Sequence, residues 1–310
     1  MMQHFLPSGQ LSLERPSFIF SSAVLIGVML LYNIAGTLLL LVIPGGAATA
    51  GLEPLQYDSS MISAMRLAQV AGQILVLALS ALLLARMHAG GGGFFSWKPL
   101  EFLGIEHRVP WRQILFAVLG MMSLQPLLHS ITELQDLFLW PALGRSGEAV
   151  LESRRLMDAL IGKLAGIHSF PEAIAVASVL ALTPACCEEL FFRGYLQQNY
   201  YKALSPAGSV FFTGFAFAVF HLSAANLVPL TLLGWYIGYI FMKSGSLAVP
   251  FFVHLLNNLA ALVFLHAAGS TPDVTPASVV FSLWWWPIVA GSLLLFVFFM
   301  HRFRASCSST

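Results

Sequence analysis

Two adjacent carboxylates and an arginine lie inside one of the most apolar regions of the chain. They are Glu188, Glu189 and Arg193. Ionisable side chains in such surroundings cost roughly 2.5 to 3.5 kcal/mol each on membrane-insertion scales, so their presence indicates a functional site. Glu189 and Arg193 are four residues apart, which lets them pair on one face of a helix. Neighbours on a helix point about 100° apart, so Glu188 is expected to remain the free carboxylate.

Two histidines follow the carboxylates in separate apolar segments. His221 ends one segment, four residues after Phe217, and His254 lies inside a later one. His254 and Asn258 are four residues apart, so they share a helix face and can present a donor, an acceptor or a metal-ligating nitrogen to one point. Asn257 faces elsewhere and is expected to serve in helix packing.

These groups allow two hydrolytic chemistries and one structural role. In the first chemistry, Glu188 and His221 polarise a water for attack on a peptide carbonyl, while His254 and Asn258 stabilise the oxyanion. In the second, Glu188, His221 and His254 hold a zinc ion that makes the water nucleophilic. Asparagine is a poor zinc ligand, so we favour a reaction without a metal or other cofactor and keep zinc as the alternative. The structural role is a buried ion-pair cluster that joins helices.

The composition is that of a polytopic membrane protein. Of the 310 residues 58% are hydrophobic and 9% are charged, and the formal net charge is +1; mean hydropathy is +0.80. Soluble domains carry about 25% charged residues. Nothing in the charge pattern suggests a nucleic-acid partner. The three cysteines, of which Cys186 and Cys187 are adjacent, form neither a disulfide framework nor a metal knuckle.

The elements that must position these groups are membrane helices, and the fold class is all-α. Apolar runs of spanning length predict about eight, of which the 226–242 run is the shortest. A mixed polar and apolar segment, 130–166, is expected to form an amphipathic helix on the membrane surface. We divide the chain into N-terminal helices with this segment (1–170), a catalytic core (171–267), and a last helix with a tail (268–310). The eight apolar runs are near 18–42, 61–85, 112–129, 172–193, 207–224, 226–242, 247–267 and 278–300.

The distribution of basic residues predicts the orientation. Lysine and arginine are concentrated between residues 86 and 112, around residues 193–202, at Lys243 and in the tail, whereas the loops 44–60 and 268–277 contain none. The positive-inside rule then places both termini in the cytoplasm.

Taken together, the three motifs resemble those of the CPBP family, the CaaX proteases and bacteriocin-processing enzymes also called the Abi family. That family's pattern is EExxxR, FxxxH and HxxxN on successive membrane helices, and the resemblance covers about residues 172–265. It implies an intramembrane endopeptidase, surrounded by the lipid bilayer, that cleaves a membrane-associated protein or peptide, with or without a lipid tail, near a membrane face. In eukaryotic members the substrate is a prenylated CaaX protein. The resemblance implies a catalytic role for Glu188, His221, His254 and Asn258, and a supporting role for Glu189, Arg193 and Phe217.

Two points stay open at this level. One is a non-catalytic scaffold or chaperone, in which the same polar cavity, lined by residues such as Trp235 and Tyr239, binds a partner's lipidated or transmembrane tail. The other is depth. At about 1.5 Å per residue, His221 would lie about 22 Å along its helix from Pro206, whereas His254 would lie about 10 Å from Leu247. A broken or offset element lining the cavity would reconcile them.

Overall fold

The computed structural model describes residues 15–43, 54–89, 96–105, 109–267 and 279–308. Within these ranges every regular element is helical and there is no strand, which confirms the all-α fold. In the described part of the chain, seven helices are long and apolar enough to cross a membrane, and an eighth apolar helix, Pro206–Phe220, is shorter. In chain order the helices are α1 (Phe18–Val42), α2 (Ser59–His88), α3 (Lys98–Phe102), α4 (Trp111–Ala142), α5 (Arg145–Leu164), α6 (Phe170–Tyr200), α7 (Pro206–Phe220), α8 (Leu227–Ser244), α9 (Ala248–Ala267) and α10 (Trp285–Ser308).

The chain before α1 is anchored to the core by Arg15. Its guanidinium donates to Gln198 Oε1 at 2.7 Å and to the carbonyl of Phe102 at 2.7 Å. It also donates to Asn199 Oδ1 at 3.2 Å. Burial lowers the pKa of Arg15 to about 10. These bonds tie the start of α1 to the end of α6.

The polar segment differs from the single surface helix predicted over 130–166. Helix α4 continues to Ala142 because the apolar residues from Leu137 to Trp140 extend the apolar face of the helix. The chain then turns a corner at Gly144, which has φ +56°. The polar helix α5 then runs from Arg145 to Leu164. Arg154 closes the corner by donating to Asp136 at 2.9 Å. The amphipathic helix is therefore shorter than expected, and its position on the membrane surface stays a prediction.

The shortest apolar helix is α7, not the 226–242 run. Its 15 residues extend about 22 Å, less than the roughly 30 Å of a bilayer core. The helix ends at Phe220 because the backbone turns at His221 and Leu222, and Leu222 adopts φ 50°. The predicted run 207–224 thus included a turn.

Helices α7 and α8 form an antiparallel hairpin with a very close crossing. A Cβ built on Gly234 would lie 2.6 Å from the carbonyl oxygen of Gly214, so only glycine fits at this point. Trp235 Nε1 donates to the carbonyl of Phe211 at 3.0 Å on the adjacent turn. Small residues let membrane helices approach in this way.

Helix α6 packs against the same hairpin through backbone carbonyls of α8. Arg193 Nη2 donates to the carbonyl of Gly234 at 3.2 Å, and Gln197 Nε2 donates to the carbonyl of Gly238 at 2.9 Å. Both donors and both acceptors are spaced by four residues, so the two helices match turn for turn. This polar seam fixes the rotation of α6 and hence the direction of its carboxylates.

Candidate active site

Helix α6 carries the two carboxylates and the arginine at its most buried point. The helix begins behind Ser169, whose side chain accepts from the backbone of Glu172, and it widens into a π-helical turn from Leu190 to Gln197. Arg193 Nη1 donates to Glu189 Oε1 at 3.0 Å, and both side chains are almost completely buried. The ion pair predicted from the spacing is present.

Glu188 is held by a residue that the sequence did not single out. Gln73 Nε2, on α2, donates to Glu188 Oε1 at 2.9 Å. Glu188 is 5% exposed, and its Oε2 is buried without a hydrogen-bond partner among the described residues. Gln73 is 115 positions away, so no spacing could reveal the contact. In the sequence, Gln73 stands out only as an amide side chain inside an apolar run.

His254, on α9, lies between the two carboxylates. Its Nδ1 is 2.7 Å from Glu189 Oε1, and its Nε2 is 3.9 Å from Glu188 Oε2. An ionised carboxylate only accepts hydrogen bonds, so the contact with Glu189 requires a proton on Nδ1, and Nε2 faces Glu188. Gly245, at φ +69°, ends α8 and lets the chain turn at once into α9, which brings His254 to this depth.

Phe217, on α7, is the centre of an aromatic contact that connects both histidines. Its ring is 5.9 Å from the ring of His254 and 4.8 Å from that of His221, both edge to face. The guanidinium of Arg193 lies 4.6 Å from its centroid, a cation–π distance. Phe217, one helical turn before His221, is thus the residue of α7 whose ring contacts His254.

His221 and Asn258 lie at the edge of the buried cluster. His221 caps the C-terminus of α7 and is exposed, with Nδ1 2.8 Å from the carbonyl of Phe217. No hydrogen bond or ion pair joins His221 to Glu188 in the part of the chain described; the histidine facing Glu188 is His254. Asn258 is partly buried and its amide is unbonded within the described ranges, whereas Asn257 accepts from Gln125 at 3.0 Å. Asn257 thus has the packing role predicted for it.

Two residues predicted to line the polar cavity do not do so. Trp235 and Tyr239 line a separate apolar cavity between α4, α7, α8 and α10. Both project from the face of α8 that turns away from α6, whereas Gly234 and Gly238 face α6. Sequence order alone does not distinguish the two faces, because α8 is apolar on both.

The site contains side chains of the types that bind metal ions. Two histidines and a carboxylate are suitable ligands for zinc. Among the described residues, however, no three histidine, cysteine, aspartate or glutamate side chains are arranged closely enough to hold an ion. His221 in particular stands apart from Glu188 and His254. The arrangement of the described side chains therefore does not fit a zinc ion.

Apolar helices around a buried carboxylate and histidine cluster define a polytopic membrane protein with a polar centre. Residues 170–260 match the family described as Type II CAAX prenyl endopeptidase Rce1-like. No curated protein and no solved structure matches the chain. The match of this segment to the Rce1-like family confirms the resemblance to the CaaX proteases. The segment spans α6 to the middle of α9 and contains every predicted site residue, and the match supports an intramembrane endopeptidase.

Proposed function

We propose that this protein is an intramembrane endopeptidase in which Glu188 activates the attacking water. The single observation that carries the proposal is the state of its carboxylate. Gln73 holds Oε1, while Oε2 is buried without a partner among the described residues and faces His254 Nε2 at 3.9 Å. That gap is too long for a direct hydrogen bond, and one water can bridge it.

The proposed reaction is general-base hydrolysis. The water oxygen attacks the peptide carbonyl carbon as Glu188 takes a proton from it. The C–N bond then breaks, and Glu188 returns the proton to the leaving amine. His254 holds the same water through Nε2, and Arg193 and Glu189 position its ring from behind. This is general acid–base catalysis by positioned groups, and a cavity that excludes bulk water favours it.

Asn258 and His221 are the proposed donors to the oxyanion. Asn258 lies one turn after His254 on the same helix, and its amide has hydrogens to donate. His221 Nδ1 lies against the Phe217 carbonyl, which only accepts, so Nδ1 carries a proton and the other ring nitrogen, directed away from the helix, donates to the oxyanion when the ring is doubly protonated. This assignment exchanges the histidine roles expected from sequence, because His254 rather than His221 faces Glu188.

We propose that the substrate is a membrane-associated protein or peptide with a lipidated tail. The family description names a prenyl endopeptidase, and the domain lies within apolar helices. Two peptides of identical sequence, one prenylated and one not, provide a matched test. Faster cleavage of the prenylated peptide is expected; equal rates would remove lipidation from the proposal and leave the peptidase activity intact.

The catalytic proposal is tested by Glu188→Gln in the purified, membrane-reconstituted protein. Loss of the base should lower the rate of peptide cleavage by at least about 100-fold, while the thermal unfolding midpoint changes little. The matched control is Glu152→Gln, which also removes a carboxylate but from an exposed pair with Arg155 at 2.9 Å on α5. Retained proteolysis in Glu188→Gln would refute the role of Glu188 as the base, whereas absence of cleavage by the unmodified protein would favour the non-catalytic scaffold.

We propose that the reaction needs no metal ion. The active protein should contain no stoichiometric zinc by elemental analysis, and its activity should survive exhaustive chelation. Loss of zinc and activity together, both restored by added zinc, would establish the metalloprotease alternative instead.

A further inference from the structure

A second cavity lies outside the candidate active site. It has a volume of about 700 Å³, in the range of ligand-binding pockets, and it is lined by α4, α7, α8 and α10. We call it the outer cavity. Its wall is almost entirely apolar, and none of the residues of the candidate active site contributes to it. Helix α8 separates the two, with Trp235 on the outer side and Gly234 on the side of Arg193.

The outer cavity is basic at one end only. Arg304 and His301 line that end, and both are exposed. Arg304 Nε donates to the hydroxyl of Tyr239, and the guanidinium lies 5.4 Å from that ring. Its two Nη groups make no hydrogen bond within the described residues. The guanidinium is thus oriented by Tyr239 and still has donors to offer.

The surrounding charges reinforce this end. From residue 201 to the C-terminus the chain has four lysines and arginines and a single acid, Asp273, which lies outside the described residues. Lys243 and Arg302 are close in sequence to the lining residues Met242 and His301. An anion bound at Arg304 would therefore be attracted by the basic residues, and no carboxylate of the lining would repel it.

The length of the outer cavity matches one leaflet of a bilayer. Its lining on α8 extends from Leu232 to Met242, about 15 Å, which is half of a hydrocarbon core of about 30 Å. The basic end lies at the C-termini of α8 and α10, where the positive-inside rule places the cytoplasmic headgroups. Basic pockets between membrane helices on this side are suited to anionic lipid headgroups.

We propose that the outer cavity binds one anionic phospholipid, with an acyl chain along the apolar wall and the phosphate on Arg304 and His301. Charge complementarity selects this occupant. A second copy of the chain would bring no acid from its own α7 to α10 to Arg304, because those helices contain none. A substrate's tail bound here would lie across α8 from Glu188, the group that must reach the scissile bond.

The test uses Trp235 as a reporter of occupancy, because its ring lines the outer cavity. The protein is placed in phosphatidylcholine nanodiscs with equal mole fractions of either brominated phosphatidylglycerol or brominated phosphatidylcholine. Bromine quenches nearby tryptophan, and the signal of a Trp235→Phe variant is subtracted. We expect phosphatidylglycerol to be preferred about fivefold, the effect of one basic side chain on an anionic lipid.

Arg304→Gln should abolish this preference. The matched control is Arg302→Gln, which removes the same charge two residues earlier, from a side chain that lies 5.5 Å from the Phe116 ring and does not line the cavity. Arg302→Gln should keep the preference. Equal quenching by the two lipids in the unmodified protein would overturn the proposal, whatever the stability of the variants. Release of the quenching by a prenylated peptide would assign the outer cavity to the substrate's tail and also overturn it.

Discussion

At the scale of single residues, the arrangement of charges argues for chemistry rather than for structure alone. A buried ion pair between Glu189 and Arg193 is complete without Glu188. Glu188 adds a second buried carboxylate whose only hydrogen bond among the described residues comes from a neutral amide. Burial of a charge without a charged partner is costly, and such groups are concentrated at functional sites. The cost is understandable if Oε2 has to remain available to a water.

Gln73 should act as a positioning residue for Glu188. Removing its amide in Gln73→Ala frees the carboxylate to rotate, and a displacement of about 1 Å lowers rates by about 100-fold. We expect kcat to fall by that factor while KM changes little, because the amide holds the carboxylate rather than the substrate. Steady-state kinetics with a cleavable peptide measures both.

The control for Gln73 lies one turn earlier on the same helix. Gln69 accepts from the hydroxyl of Tyr32 at 3.4 Å, so its side chain bonds to that hydroxyl rather than to Glu188. Gln69→Ala should keep nearly full activity. Equal losses of kcat in the two variants would mean that α2 tolerates neither change and that Gln73 has no special role.

Arg193 should be essential to stability because it neutralises Glu189. Removing one partner of a buried pair costs about 3–5 kcal/mol, since the remaining charge is left uncompensated. Arg193→Met should therefore lower the thermal unfolding midpoint strongly. The double variant Glu189→Gln/Arg193→Met should recover part of the loss. If the double variant is no more stable than the single one, the lost bond to Gly234 rather than the charge explains the effect.

Sequence was informative at this scale where the geometry is local. The spacing of four residues predicted the pair of Glu189 and Arg193, since a helix fixes that relation. The partner of Glu188 could not be predicted in the same way, because Gln73 reaches it through tertiary packing. The relation of the two histidines to Glu188 also depends on how α7 and α9 pack around Phe217, which no motif contains.

At the scale of elements, the site depends on the contact between α6 and the α7–α8 hairpin. The carbonyl of Gly234 accepts from Arg193, and the same residue contacts Gly214 across the hairpin. One glycine therefore joins three helices. The arginine that supports Glu189 is in this way tied to the helix pair that carries Phe217.

Replacing Gly234 by alanine should disturb the site from a distance. The added Cβ would lie 2.6 Å from Gly214 O, so α7 and α8 must separate. Overpacking of this kind costs about 1–3 kcal/mol. We expect a lower unfolding midpoint together with lower peptidase activity.

Gly291→Ala, on α10, is the matched control for Gly234→Ala. Its added Cβ would meet nothing within 4 Å, so both stability and activity should be retained. Full activity in Gly234→Ala would show that the glycine crossing does not position the site.

Hydropathy predicted that these helices exist but not where all of them end. Among the described residues, the eight predicted apolar runs correspond to seven helices of spanning length and the shorter α7. The end of α7 was missed because His221 and Leu222 continue its apolar run while the backbone has already turned. The extension of α4 was missed because the charged residues Glu133 and Asp136 resemble the start of a polar segment. Asp136 is instead paired with Arg154 on α5.

At the scale of the whole molecule, the α7–α8 hairpin bears on the orientation of the chain. Trp235 bonds to Phe211 and Gly234 contacts Gly214, so the two helices are antiparallel and return to the side from which they start. Together, α7 and α8 therefore cross the membrane either twice or not at all. The other six long helices, α1, α2, α4, α6, α9 and α10, each have the length for one crossing. The total is even in both cases, although α7 is too short for a simple crossing.

Both termini should therefore lie on the same side of the membrane, and the basic residues make that side the cytoplasm. Reporter domains fused separately to the two ends, and read by protease protection in sealed vesicles, should give the same answer.

A cysteine introduced at Ser223, at the tip of the hairpin, then distinguishes two crossings from none by its labelling from the opposite side with an impermeant reagent. Termini on opposite sides would mean that one of the six long helices does not cross. The depth of Glu188 would then have to be reconsidered, because α6 is one of those six.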